Sequence, residues 1–392
     1  MTVYFPLMDQ KKQDQAPQAA MHKSVFISEQ HQVERAAGEF RRGVPVLIRD
    51  QSGQSLFLPA ETLAADALTT ARGFGGTPLL MVLTHARAQT LKIPLYTPDV
   101  VAIRLEADVD TRRIRSIADP ATDLSDPLKG PFDAVRSELP SGAAAAVRLA
   151  KLAGLLPAVV AAPIEETLSA NLEDVVKLDA SLVERYQAAA SQSLQLVARA
   201  RLPLKEAETC ELVSFRPADG GTEHHAIIIG ESSSQHLATP GPVLARLHSE
   251  CFTGDLLGSL RCDCGDQLRG AVEAIAEAGG GILLYLAQEG RGIGLMNKLR
   301  AYELQDQGFD TIDANERLGF EADERLYDSA AQMLKLLGYN SVRLMTNNPE
   351  KIRALEAAGI DVKERVPHSF PDNIHNRDYI ATKAKRGGHL YR

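Results

Sequence analysis

The chain has 392 residues, 44% of them hydrophobic and 24% charged, and a formal net charge of −8. That length accommodates two domains, each with its own core, and the acidic balance argues against a nucleic-acid coat or an anionic-membrane binder, which rely on basic surfaces. No apolar run approaches the roughly 18 residues needed to span a bilayer, and no basic flank leads into an apolar signal core. A cytoplasmic protein is expected, with neither nucleic acid nor membrane as partner. Residues 1 to 24 are rich in Gln and Lys from Asp9 onward, lack apolar periodicity and read as a mobile tail without assigned function. From Val25 short apolar runs, Val44 to Ile48 and Leu79 to Leu83, alternate with helical stretches. Ala143 to Leu156 consists of good helix formers and is punctuated by Gly154 and Pro157, which predicts a buried helix. A second helical pattern runs from Leu182 to Ala200, and Arg201-Leu202-Pro203 reads as the join between a first domain, 25–203, and a second, 204–392. The expected fold class is α/β with mixed α+β layers: two domains, each with a mixed β-sheet covered by helices.

The second half opens with strand-like runs such as His225 to Ile229 and then reaches the most distinctive stretch, Arg246 to Gln267. Cys251, Cys262 and Cys264 fall within fourteen positions. Three soft thiolates without a fourth ligand match a catalytic zinc, which leaves one position for water. The plain alternative is three buried core cysteines. The polarity around them, with Asp263 between two cysteines and His248, Ser249 and Glu250 before the first, favours a site. Four cysteines, three clustered, fit metal binding in a reducing compartment better than disulfides.

Farther on, Leu268, Val272, Ile275 and Ala276 share one helical face, and Gly279-Gly280-Gly281 precedes the strand Ile282 to Leu286. The glycine-rich turn Gln288 to Gly294 then leads into a helix from Leu295 to Gln307, an order of elements that can bind an anion at the helix start. Taken alone it needs no more than a tight turn. The same order recurs where the strand Ser341 to Met345 runs into Thr346-Asn347-Asn348-Pro349-Glu350-Lys351, with Asn348 suited to an N-cap and Pro349 to the first helical position. Thr346 and Lys351 would flank that helix start. Phe320 to Arg325, between the two turns, reads as the solvated start of a helix.

Together these residues resemble GTP cyclohydrolase II, a zinc enzyme that opens the guanine ring of GTP at the start of riboflavin synthesis. The resemblance covers about 204 to 392 and rests on Arg246-Leu247-His248-Ser249-Glu250-Cys251, Arg261-Cys262-Asp263-Cys264-Gly265, Gln288-Glu289-Gly290-Arg291, Asn297-Lys298, Ala301-Tyr302, Asp323-Glu324-Arg325, Thr346-Asn347-Asn348-Pro349 and the closing Tyr379 to His389. It implies that Cys251, Cys262 and Cys264 bind one zinc ion per chain. Nucleotide contacts would come from Arg246, Leu247, His248, Ser249, Glu250, Gln267, Glu289, Gly290, Arg291, Thr311, Thr346 and Lys351. Asp323 would accept a proton, Arg325 would handle the α-phosphate, and Tyr302 would lie near the ring-opening chemistry. The implied reaction is attack of a zinc-activated water on C8, loss of formate by a second hydrolysis, and separate departure of pyrophosphate. Magnesium would enter with the phosphates, and a homodimer is the implied assembly. The family mechanism makes the arginine a nucleophile, whereas a guanidinium is normally protonated and suits an electrostatic clamp; both roles stay open for Arg325.

The first half resembles, more faintly, 3,4-dihydroxy-2-butanone 4-phosphate synthase, through Thr84 to Leu95 and Ala146 to Ala158. Where that family has an acidic loop, a His-Thr-Glu and a later glutamate, this chain has Arg49-Asp50-Gln51-Ser52-Gly53-Gln54, Gly142-Ala143-Ala144 and Pro163. A catalytically inactive first domain is expected. Two rival readings of the whole are a cyclohydrolase that stops at the formylated, ring-opened product, and a nucleotide-binding regulator without turnover.

Overall fold

The computed structural model describes residues 28–74, 78–136, 138–165, 172–230, 241–388 and 390; the tail expected over 1 to 24 lies outside them, as does His389. The first half begins with α1 (Glu29–Arg41), β1 (Val46–Asp50), β2 (Gly53–Pro59), α2 (Ala65–Phe74), β3 (Leu80–Thr84) and α3 (His85–Thr90). It continues with β4 (Val100–Arg104), α4 (Thr111–Ala118), β5 (Asp133–Ala134), α5 (Ala143–Leu152), β6 (Ala158–Pro163), β7 (Val176–Asp179) and α6 (Ala180–Gln192). Its seven strands form one sheet in the order β5-β4-β3-β6-β2-β1-β7, antiparallel except where β1 meets β7. Central strands such as β6 are buried on both faces because helices cover both sides.

The second half comprises β8 (Gln195–Arg201), β9 (Cys210–Arg216), β10 (His224–Gly230), β11 (Val243–Ser249), α7 (Cys264–Glu277), β12 (Gly280–Leu286) and α8 (Gly294–Asp306). Then come α9 (Thr311–Arg317), α10 (Asp328–Leu336), β13 (Ser341–Met345), α11 (Pro349–Ala357), β14 (Asp361–Val366) and α12 (Arg377–Lys385). A second seven-stranded sheet runs β14-β13-β11-β12-β10-β9-β8. Strands β14, β13, β11 and β12 are mutually parallel, and β10, β9 and β8 add on in antiparallel fashion. The expected fold class, two mixed sheets each covered by helices, is the one observed.

The expected helix before the join differs. The helix anticipated over Leu182 to Ala200 ends at Gln192, and 195–201 forms the edge strand β8, exposed throughout and paired with β9. Gln, Leu, Ala and Arg are good helix formers, but the open edge of β9 offers backbone hydrogen bonds that outweigh so weak a local preference. The second sheet therefore begins upstream of Arg201-Leu202-Pro203.

The halves pack through a shared core. Ile293, Ala301 and Leu304 of the second half, with Ala314, Leu318 and Phe320, join the cluster that contains Leu83, Ala88 and Leu156 of the first. Gly319 (φ +90°) lies where an added Cβ would strike Pro157 at 2.9 Å and Thr84 at 3.0 Å, so this contact requires glycine. Around the core Arg300 Nη2 donates to Glu61 Oε1 at 2.8 Å, Asn297 Nδ2 to Gly154 O at 3.1 Å, and Arg87 Nη1 to Arg317 O at 3.4 Å.

Candidate active site

The site forms at the carboxyl ends of β11, β12 and β13. The chain passes from β11 through α7 to β12 on one side, while β13 lies on the other, so the loops diverge and leave a crevice where open α/β sheets bind ligands. Each strand delivers one motif. Arg246 to Glu250 end β11, Gln288 to Arg291 follow β12, and Thr346 to Lys351 follow β13.

On one wall the expected cysteines converge. The Sγ atoms of Cys251, Cys262 and Cys264 lie within 4.8 Å of one another, Cys251 and Cys262 being 3.7 Å apart. The loop after Cys251 is wound as a short π-helix, Phe252–Leu256, and Gly254 sits within it against the sulfurs. A Cβ there would lie 2.7 Å from the Cys262 sulfur and 3.1 Å from that of Cys251. Hydrogen bonds from Cys262 and Cys264, helped by Lys298, pull the Cys251 thiol well below its ordinary range; the bond to Cys251 and burial push Cys262 up to about 11 and Cys264 well upward. Three thiolates this close would repel one another, and a bound cation would offset that repulsion. This donor set, cradled by Gly254 and without a fourth clustered ligand among the described residues, fits zinc with an open position.

Behind the cysteines the loop is held by two buried carboxylates. Asp255 accepts from the Cys251 amide, from Tyr285 Oη and from the His248 ring, each at about 3.0 Å. Burial drives the His248 imidazole below its ordinary range despite Asp255. Glu289 accepts from the Phe252 amide at 2.6 Å and from Lys298 Nζ at 2.7 Å, and Lys298 also donates to Cys251 Sγ at 3.0 Å. The Lys298 ammonium is opposed by burial but raised above its usual range by Glu289 and Cys251. Tyr302 lies one helical turn beyond Lys298, its hydroxyl 3.4 Å from Thr253 Oγ1 and its ring 5.0 Å beneath the Arg261 guanidinium. Burial keeps that phenol protonated.

The opposite wall is cationic. Arg246 donates to Met345 O at 3.0 Å and to Gln267 Oε1 at 2.5 Å, and Lys351 Nζ donates to Leu247 O at 2.6 Å. Burial, then the charges of Arg246 and Arg325, push the Lys351 ammonium well below its ordinary range. Asn348 caps α11 as expected, its side chain accepting from the Glu350 amide at 2.9 Å. The segment Glu321–Arg325 is not the start of a helix; α10 begins only at Asp328, and the segment runs irregularly past the pocket. Arg325 lines the pocket, held by Asp323 through Nε at 2.8 Å and Nη2 at 2.5 Å. Burial would raise the Asp323 carboxyl, but Arg325 holds it below the usual range; burial likewise opposes the Arg325 charge, and Tyr327 and Asp323 outweigh it. Arg291 takes a left-handed conformation (φ 62°) after Gly290 (φ 64°) and lines the pocket near this segment.

One crevice thus brings together Arg246, His248, Ser249, Glu250, Gln267, Glu289, Gly290, Arg291, Tyr302, Thr311, Arg325, Thr346 and Lys351 with the three cysteines. Leu247 is the exception among the expected contacts: strand alternation sends its fully buried side chain into the core, and only its carbonyl reaches Lys351. The sequence reading assigned no role to Lys298, Gln305, His368, Tyr379 or Lys383, which also line the pocket. A signal existed for some of them. Lys298, Ala301, Tyr302 and Gln305 recur at the spacing of one helical face, as do Tyr379 and Lys383 on α12. His368, held by Gln267 O at 3.0 Å and pushed down to about 4 by burial and Arg246, has no such pattern.

The family model for GTP cyclohydrolase II matches residues 195–367. A GTP cyclohydrolase-2 of Azospirillum brasilense is 48% identical over 92% of this chain and 94% of its own length, and one of Xylella fastidiosa is 38% identical over 91% and 86%. A shorter GTP cyclohydrolase-2 of Pseudomonas aeruginosa is 55% identical over 50% of this chain and 94% of its own. Among solved structures, a two-domain 3,4-dihydroxy-2-butanone 4-phosphate synthase from A. baumannii aligns at 17% identity, over 86% of this chain and 99% of that one, with a TM-score of 0.32. Identity at this level along nearly the whole length, over a crevice in which the family's motifs converge, makes the chain an enzyme of the GTP cyclohydrolase II family.

Proposed function

We propose that this crevice hydrolyses GTP, opening the imidazole ring of guanine and releasing formate and pyrophosphate to give 2,5-diamino-6-(5-phospho-ribosylamino)pyrimidin-4-one, the first step of riboflavin synthesis. The observation that carries the reading is the pairing of a three-thiol cluster with a cationic wall in one pocket. Zinc held by Cys251, Cys262 and Cys264 would supply the Lewis acidity that activates water against C8. Tyr302, protonated by burial, can donate to the ring nitrogen that leaves as the ring opens. Lys298 holds Cys251 and Glu289 holds the loop, so the ligands are pre-arranged by the chain itself. On the other wall the charges of Arg246 and Arg325 press on Lys351, and a triphosphate bound with magnesium would offset them. Arg325, fully charged and aligned by Asp323, acts as a clamp on the α-phosphate rather than as a nucleophile.

The division into a first domain, 25–203, and a cyclohydrolase domain, 204–392, belongs to this reading, with the second sheet's edge strand drawn from before the join. The first half is proposed to be inactive. Its one acid at the strand exit, Asp50, is engaged in local structure, accepting from the Gly142 amide at 2.6 Å and from Ser52 Oγ at 2.6 Å. A homodimer is proposed as well, supported by exposed Phe252, Leu256, Leu257, Leu260, Met296 and Leu299 on elements that also line the site. Four free cysteines suit the reducing cytoplasm.

The deciding experiment incubates the protein with GTP, zinc and magnesium and follows the products by mass spectrometry. Equimolar formate, pyrophosphate and diaminopyrimidine are expected; accumulation of a formylated pyrimidine would replace this reading with the truncated reaction. Ribulose 5-phosphate, supplied in parallel, should stay unconverted.

A further inference from the structure

The segment Glu321–Arg325 is irregular, so its course depends on contacts from outside. On the pocket side the Glu324 amide donates to Arg291 O at 3.0 Å and Arg291 Nη1 donates to Ala322 O at 3.2 Å. Gly292 permits this approach, since a Cβ there would lie 2.9 Å from the Glu324 carbonyl carbon. On the far side the contact comes from the first half. Lys151, in the last turn of α5, places Nζ 2.5 Å from Glu324 Oε1, and that same oxygen accepts from the Glu321 amide at 2.8 Å. A single carboxylate oxygen therefore folds the segment on itself and ties it to a helix of the other half. The root of the segment, Phe320, is buried in the shared core with the Lys151 ammonium 5.7 Å from its ring.

We infer that Lys151 is a positioning residue for the cyclohydrolase reaction: acting through Glu324, it holds the segment that carries Asp323 and Arg325 so that Arg325 faces the pocket. The inference rests on the proposed role of Arg325 at the α-phosphate. Both partners of the Lys151–Glu324 pair are half-buried, so solvent screens it only in part. Its consequence is geometric. Displacing a charged clamp by about 1 Å can cost on the order of 10²-fold in rate, and without Lys151 the Glu324 carboxylate keeps only the Glu321 amide among these two partners.

The test uses the full-length protein and Lys151→Met, which keeps the stem over Phe320 and removes the charge. Expected is a fall of about tenfold in kcat for pyrophosphate release, part of that geometric range, with KM for GTP within about twofold and zinc content unchanged. Amide hydrogen exchange should accelerate at Glu321 and Glu324 and stay as in the parent elsewhere, and Lys151→Arg should restore both rate and protection. An unchanged kcat in Lys151→Met, or a fall matched by zinc loss or by lost protection throughout the chain, overturns the inference. Arg325→Ala in the same assay separates the two levels. Unchanged pyrophosphate release there defeats the clamp and the inference together, whereas a loss there beside an unaffected Lys151→Met defeats the inference alone.

Discussion

The two halves are built alike, each around a seven-stranded mixed sheet with helices on both faces, yet they treat the strand exits in opposite ways. In the second half the exits of β11, β12 and β13 open into a crevice lined by the buried ionisable side chains of Arg246, Lys298, Glu289 and Lys351. At the exit of β1 in the first half, Asp50 is exposed and spent on a turn and on the start of α5, where Gly142 (φ 78°) packs so closely that a Cβ would lie 2.6 Å from Ile48 Cγ2. Buried charge is costly and persists where a ligand or a function needs it. The buried cations of the first half, Arg87 and Lys129, are instead paired with one carboxylate, Asp123.

The largest effect should come from the thiols. Serine at Cys251, Cys262 or Cys264 is expected to lose zinc and to bring formate release to background, while Cys210→Ser, at a buried thiol bonded to Leu202 O, should leave zinc content unchanged. Metal analysis of the four variants makes the measurement, and full zinc in a Cys262→Ser protein would end the assignment. Next in size, Arg325→Ala should slow pyrophosphate release by about 10²–10³-fold, the usual worth of a charge aimed at a developing negative centre. Gly254→Ala removes no ligand but puts a methyl among the sulfurs, and zinc affinity, measured by competition with a chelator, should weaken by about 10–100-fold.

A subtler contrast concerns protons. Because Lys351 is held well below its ordinary range in the free site, phosphates bound there should restore its charge and draw in a proton. The sign follows: affinity for a non-hydrolysable GTP analogue should fall as pH rises between the free and bound values, by at most about tenfold per unit. Calorimetry in buffers of different ionisation enthalpy should record net uptake in the parent and none in Lys351→Met; proton release would invert the picture. The smallest effect belongs to the first half. Asp50→Ala should lower stability by about 0.5–1 kcal/mol through the lost cap-like bond and leave GTP turnover within about twofold, whereas a large loss of turnover would show that the β1 exit still serves the reaction.

Much was legible in the chain itself. Clustered thiols, apolar runs of strand length, and Asn-Pro after a strand are local signals, and the cysteine site, β13 and the cap of α11 appear where those signals stand. The same locality explains the misses. Residues 195–201 carry helix-forming side chains and became a strand because β9 supplied an edge, and Leu247 lies within a polar motif yet faces the core because β11 alternates. His368 reaches the pocket from 101 residues beyond Gln267, its partner, so no local spacing announces it. The sequence by itself determined which ligands and cations exist and which segments are apolar enough to fold. Only the tertiary structure decided that Lys351 sits among like charges, that Glu289 serves the cysteine loop, and that Lys151 reaches across to Glu324, because each depends on distances set by the packing of two sheets and their helices.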